Sequence, residues 1–220
     1  MQHVLNTGLD EYVSAHTTNE PLVLSNLVRQ TNLEVLMPRM VSGNVQGQLL
    51  KFISQMVRPL NILEIGTFTG YSAICLCAGL LPGGKLTTID KNPELERVFT
   101  KAFEQAQCLH QIDYKFGNAI DLLPSLTGPF DLVFIDADKI NNANYYNLIF
   151  TKVPVGGYIL VDNVLWSGKV MEPMDKMDKE TLAVYNFNDM IQQDARVENI
   201  LLPIRDGLML IRKLADGRLA

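Results

Sequence analysis

The spacing of apolar residues changes near position 60. Before it, the period is helical. Leu24, Leu27 and Val28 follow Asn19-Glu20-Pro21, a helix-start signal, so the first forty residues are expected to be helical. A second helix is expected from Asn44 to about Val57, with Val45, Leu49, Ile53 and Met56 along its inner face. Beyond it, short apolar runs alternate with helical stretches. NILEIG, KLTTID, IDYKF, FDLVFID and GYILVD read as strands. YSAICLCAGLL reads as a helix stopped by Pro82-Gly83-Gly84. Asn92-Pro93-Glu94 starts another, with Leu95, Val98, Ala102 and Ala106 facing inward. This alternation predicts an α/β fold: a parallel sheet with helices on both faces. At the end, ENILLPI and GLMLIRKL flank Arg205-Asp206. That spacing predicts a tight hairpin, seven strands in all and an antiparallel last strand.

The chemistry collects where strands end, the edge at which open α/β sheets bind ligands. FDLVFIDADK ends an apolar run on Asp136, Asp138 and Lys139. YILVDN ends on Asp162 and Asn163. Oxygen donors beside a lysine point to a hard divalent cation with a base next to it: Mg²⁺, or Ca²⁺ or Mn²⁺. At the first strand, Glu64-Ile-Gly66-Thr-Phe-Thr-Gly70 has G-x-x-x-G spacing, not the G-x-G-x-x-G of nicotinamide sites. An acid beside the loop disfavours a diphosphate and favours a cationic cofactor. The second strand ends on Asp90, where a carboxylate can bind both ribose hydroxyls. Together they point to S-adenosylmethionine. The alternative reading is a plain glycine turn with Asp90 capping the next helix. Gly117-Asn118-Ala119 either borders the adenine or makes a simple turn.

Composition narrows the classes. The 220 residues suit one domain, 1–220, with an N-terminal helical extension (1–43) and a core (44–220). The net charge of -5 argues against a general nucleic-acid binder. Cys75, Cys77 and Cys108 sit in apolar settings, so packing in a reducing, cytoplasmic compartment is expected rather than disulfides or zinc. No signal peptide and no bilayer-spanning run is read. His3, His16 and His110 fall outside every motif.

EIGTFTGYSA, DADK, DNVLWSGKV and LPIRDGLMLIRK, in that order, resemble the metal-dependent O-methyltransferases of the caffeoyl-CoA and catechol O-methyltransferase group. The likeness runs from about Thr18 to Lys213. It implies the class I methyltransferase fold, a Rossmann-like sandwich, and usually a homodimer. It also implies cofactor contacts at Met40, Ser42, Glu64, Gly66, Ser72, Asp90, Ala119, Asp136 and Asp138. The implied metal ligands are Asp136, Asp162 and Asn163, and Lys139 is the implied base. Asn142 departs from the pattern, which commonly has tyrosine there.

The chemistry is consistent with that resemblance. A phenol has a pKa near ~10, so a bound cation that stabilises phenolate assists its methylation. Two adjacent hydroxyls chelating the ion would fix one of them in line with the methyl group. Lys139 is either that base or an ion-pair partner of Asp136 or Asp138. Trp166 either walls the acceptor pocket or anchors the core. Asp206 either faces the acceptor or serves the turn. The stretch 167–180, with Met171, Met174 and Met177, is a substrate lid or a solvated loop. The expected acceptor is a small phenolic vicinal diol. Alternatives are a hydroxylated tRNA nucleoside of the 5-hydroxyuridine type and a non-catalytic S-adenosylmethionine-binding protein.

Overall fold

The computed structural model describes residues 7–217; His3 and both ends of the 1–220 domain lie outside the described residues. Two helices open the described chain, α1 (Thr7–Ala15) and α2 (Leu22–Glu34), followed by α3 (Asn44–Val57). The strands are β1 (Asn61–Ile65), β2 (Lys85–Asp90), β3 (Ile112–Phe116), β4 (Leu132–Ile135), β5 (Tyr158–Asp162), β6 (Val197–Leu202) and β7 (Leu208–Lys213). Between them lie α4 (Tyr71–Cys77), α5 (Glu96–Gln105), α6 (Ala119–Leu122), α7 (Asn142–Phe150) and α8 (Lys179–Gln192).

The sheet order is β3-β2-β1-β4-β5-β7-β6, and β7 alone runs against its neighbours. The chain reverses its direction of winding between β1 and β4, so a crevice opens at their C-terminal ends. Alternate residues serve opposite faces, which explains the unbroken apolar runs. Ile62, Leu132 and Phe134 pack under α2 to α5. Leu63, Val133 and Ile135 pack against Tyr145, Ile149, Phe187 and Ile191 of α7 and α8.

Four expected details change. On α3, Ile53 is buried, but Met56 is 74% exposed, and the inner face carries Gln46, Gly47, Leu50 and Ser54. Small residues allow a close approach there: a Cβ on Gly47 would lie 2.6 Å from the Tyr71 ring. The helix expected through Leu81 ends at Cys77, because the Ser54 hydroxyl donates to the Leu76 carbonyl at 2.5 Å and Gly79 packs on the Ser54 backbone. Asn92 caps a 3₁₀ turn, Pro93–Leu95, and α5 proper begins at Glu96. The terminal hairpin has a five-residue connection, 203–207, instead of a two-residue turn. Pro203 lacks the N–H to extend the ladder. Arg205 (φ 51°) and Gly207 (φ 88°) then turn the chain.

The three cysteines are free and buried, and line a cavity of about 390 Å³ between α3, α4 and the end of α5. No helix among the described residues is long and apolar enough to cross a membrane.

Candidate active site

Glu64 points into the α2–α5 side of the sheet and is fully buried. One oxygen accepts from Ser72 Oγ and the other from Thr88 Oγ1, both at 2.6 Å, and Thr67 Oγ1 joins Thr88 at 2.6 Å. Burial pushes Glu64 up to about 8, against the lowering effect of those two hydroxyls. Its folded pKa therefore exceeds its unfolded value of 4.5. Between the two values the folded state keeps a proton that the unfolded state has lost, so stability falls as pH rises. The slope is at most about 1.4 kcal/mol per pH unit. Glu64→Gln should flatten this part of a urea-unfolding profile measured from pH 4.5 to 8; an unchanged slope would assign the effect to other groups.

Gly66 follows with φ 106°, and its N–H donates to Ile89 O at 2.9 Å. The close approach it permits is to protein: a Cβ would stand 2.0 Å from the Asp136 carbonyl oxygen. Asp90, at the end of β2, accepts from Phe68 N at 2.7 Å through Oδ2 and from Asn92 N at 2.9 Å through Oδ1. It ties the loop after β1 to the loop after β2, while the capping of the next turn falls to Asn92. Each Asp90 oxygen retains a second lone pair. Ala119 opens α6, capped by Asn118. Ser42 is buried before α3, while Met40 is 55% exposed.

Ile135 pairs with Val161, so Asp136 and Asp162 leave adjacent parallel strands at one level. Strands that pair are about 4.8 Å apart. Lys139, in a 3₁₀ turn Lys139–Asn141, is buried, and its Nζ lies 3.0 Å from Asp136 Oδ1. The ion pair therefore forms with Asp136. Asp138 is exposed, its oxygens accepting from Tyr145 Oη and Asn141 Nδ2 at 2.5 Å each.

Asp162 is 3% exposed. Gln46 Nε2 donates to its Oδ2 at 2.8 Å, and Asn163 N donates to its Oδ1 at 2.9 Å. Burial, with the charge of Asp136 nearby, pushes Asp162 up to about 6. Asn163 (φ 61°), Trp166 (φ 48°) and Ser167 (φ 55°) make the following loop unusually bent.

Trp166 is half-buried, its indole N–H without a protein partner. The Asp206 carboxylate accepts from the Ser167 N–H, so it holds the loop after Asn163. Residues 166–178 hold two 3₁₀ segments, Trp166–Met171, kinked at Ser167-Gly168, and Met174–Lys176, and α8 follows from Lys179; Met171 and Met174 are exposed. Asn142, where the pattern commonly has tyrosine, is fully buried and neither amide atom meets a protein partner.

Sequence reasoning missed Gln46, Thr88 and Arg205. Gln46 carried a readable signal, since it lies four and seven residues before buried Leu50 and Ile53 on one helix stripe. Thr88 and Arg205 carried none, because their partners Glu64 and Gln46 lie far along the chain and are brought close only by the fold.

Comparison with known proteins bears on the family and the fold. A family model described as O-methyltransferase matches residues 13–214. The chain is 34% identical over 187 residues to caffeoyl-CoA O-methyltransferase 2 of Eucalyptus globulus, covering 80% of this chain and 76% of that protein. It is 33% identical to caffeoyl-CoA O-methyltransferase of Petroselinum crispum, covering 80% and 78%. The O-methyltransferase TomG of Streptomyces achromogenes, solved with SAM, matches with a TM-score of 0.84 at 30% identity, over 94% of this chain and 96% of that one. SAH-bound PaMTH1 of Podospora anserina matches with a TM-score of 0.88 at 25% identity, over 98% and 97%. The family match takes in every strand from Asn61 to Lys213 and the helices on both faces: the chain belongs to the O-methyltransferase family.

Proposed function

We propose that this protein transfers a methyl group from S-adenosylmethionine to one hydroxyl of a vicinal aromatic diol, with a divalent cation held by Asp136, Asp162 and Asn163. The observation that carries this reading is the placement of Asp136 and Asp162 at one level on adjacent strand ends, with the Lys139 ammonium 3.0 Å from Asp136. The donor follows from relatives solved with SAM or SAH, and the acceptor class from relatives named for caffeoyl-CoA.

The donor set fits a hard cation. Among the described residues no three His, Cys, Asp or Glu side chains converge as a metal cage. The set offered here is two carboxylates and one amide oxygen, which leaves positions for water and substrate. The rise of Asp162 toward about 6 comes first from burial and then from the charge of Asp136, and a bound cation would oppose both. When bound, such an ion lowers the pKa of a hydroxyl on it and orients the second hydroxyl.

The chain's own groups do the rest. Asp90 offers its free lone pairs to the ribose hydroxyls. Glu64 holds Ser72 and, through Thr88, Thr67 in the glycine loop. Ser42, Met40, Gly66 and Ala119 border the same crevice, and Asp138 receives the amino-acid end of the donor. Lys139, as the neutral amine left once its ammonium has released a proton to water, takes the phenol proton, and Trp166 borders the acceptor.

The test is turnover of catechols and hydroxylated nucleosides with S-adenosylmethionine and Mg²⁺, with and without chelator. Diol methylation that stops on chelation and returns with Mg²⁺ is expected. Chelator-insensitive turnover would remove the cation, and turnover on nucleosides alone would replace the acceptor.

A further inference from the structure

The 203–207 connection reaches around Asp162-Asn163 from two sides. On one side Arg205 Nη1 donates to Gln46 Oε1 at 2.8 Å and to the Ser42 carbonyl, and Gln46 Nε2 donates to Asp162 Oδ2 at 2.8 Å. On the other, Asp206 accepts from Ser167 N, its carbonyl accepts from Leu165 N at 2.9 Å, and the Gly207 carbonyl accepts from Val164 N at 3.2 Å. Gln46 is 1% exposed, so both ends of its amide must be matched. They are: its oxygen meets a guanidinium, which only donates, and its nitrogen meets a carboxylate oxygen. The reversed amide would lose both bonds, so the surroundings fix its orientation.

From this network we infer that Gln46 and Arg205 are positioning residues that set the rotation of the Asp162 carboxylate at the cation site. This rests on the cation reading above. Asp162 Oδ2 is held by Gln46 and Oδ1 by the Asn163 N–H, so the plane of the carboxylate is defined. Each oxygen keeps a lone pair for a ligand. Arg205 holds Gln46 in turn, although its own φ of 51° lies in the left-handed region that favours glycine. Its contacts therefore act against a local backbone cost.

Two variants separate positioning from structural support. Gln46→Met keeps the volume but removes both hydrogen bonds. Arg205→Gly removes the clamp and relieves the backbone. Mn²⁺ binding is read by electron paramagnetic resonance at saturating S-adenosylhomocysteine, beside the melting temperature. Outer-shell partners of metal ligands typically contribute about 10–100-fold to affinity. Q46M is expected to bind Mn²⁺ 10-fold or more weakly, with its S-adenosylhomocysteine affinity kept. R205G should weaken Mn²⁺ binding in the same direction without lowering the melting temperature. Wild-type affinity for Mn²⁺ in both variants would overturn the inference. Loss of Mn²⁺ and S-adenosylhomocysteine binding together with the melting temperature would overturn it in favour of general support. A wild-type protein that binds no Mn²⁺ would overturn the cation reading and this inference with it.

Discussion

Lys139→Ala is expected to lower methyl transfer by about 10²–10⁴-fold, the range for a positioned acid or base, while affinity for S-adenosylhomocysteine stays unchanged. The side chain is held for that task. Lys139 opens a 3₁₀ turn after β4, and Asp138 is anchored by Tyr145 and Asn141, so Nζ stays beside Asp136. The same geometry also fits a purely electrostatic ion pair. Lys139→Arg distinguishes the two. Arginine keeps the charge and can keep the Asp136 pair, but it does not give up its proton in proteins. A base role predicts that the Arg variant is as impaired as the Ala variant in single-turnover rates. Near-wild-type turnover in the Arg variant would reassign Lys139 to holding Asp136.

Gly66→Ala should cost several kcal/mol, on the order of 10 °C in melting temperature for a domain of this size. Two costs add. The residue sits at φ 106°, and the new methyl would lie 2.0 Å from the Asp136 carbonyl oxygen and 2.7 Å from its carbon. Backbone cannot swing aside as a side chain can. On one side Gly66 N is bound to Ile89 O, and on the other Asp136 N is bound to Ile65 O at 2.8 Å. Relief would have to separate β1 from β4, where the crevice opens. Gly156→Ala is the matched control, with φ 86° and nothing within 4 Å of its Cβ. It pays the conformational cost alone, about 1 kcal/mol. Equal melting of the two variants would show that the approach of β1 to β4 is not tight. If Gly66→Ala folds, its Asp136 backbone is displaced, and donor binding and turnover should fall together.

Strand limits were legible because burial on both faces demands unbroken apolar runs, and residues that end them, such as Gly66, Asp90 and Asp162, stand out. Asn92 accepts a backbone N–H bond at the start of its turn, a local event within a few residues. Where the pattern misled, a contact from elsewhere intervened. The α3 face is read from apolar spacing as Val45, Leu49, Ile53 and Met56. The fold keeps Ile53 inside but also buries Gly47 and Ser54, because α4 comes close enough to need small residues there. Asp206 was visible as a turn carboxylate, but its partner, Ser167, lies in another loop.

The sequence alone determined the α/β alternation, the seven strands and the acidic strand ends, since these follow from burial period and turn chemistry within short windows. Tertiary structure alone decided which groups meet. Glu64 finds Ser72 and Thr88, Gly66 finds the Asp136 carbonyl, and Arg205 reaches Asp162 through Gln46. Burial pattern tells each residue whether it faces water. It carries no record of strand order or register, and a hydrogen bond is made only where both bring a donor within about 3 Å of an acceptor.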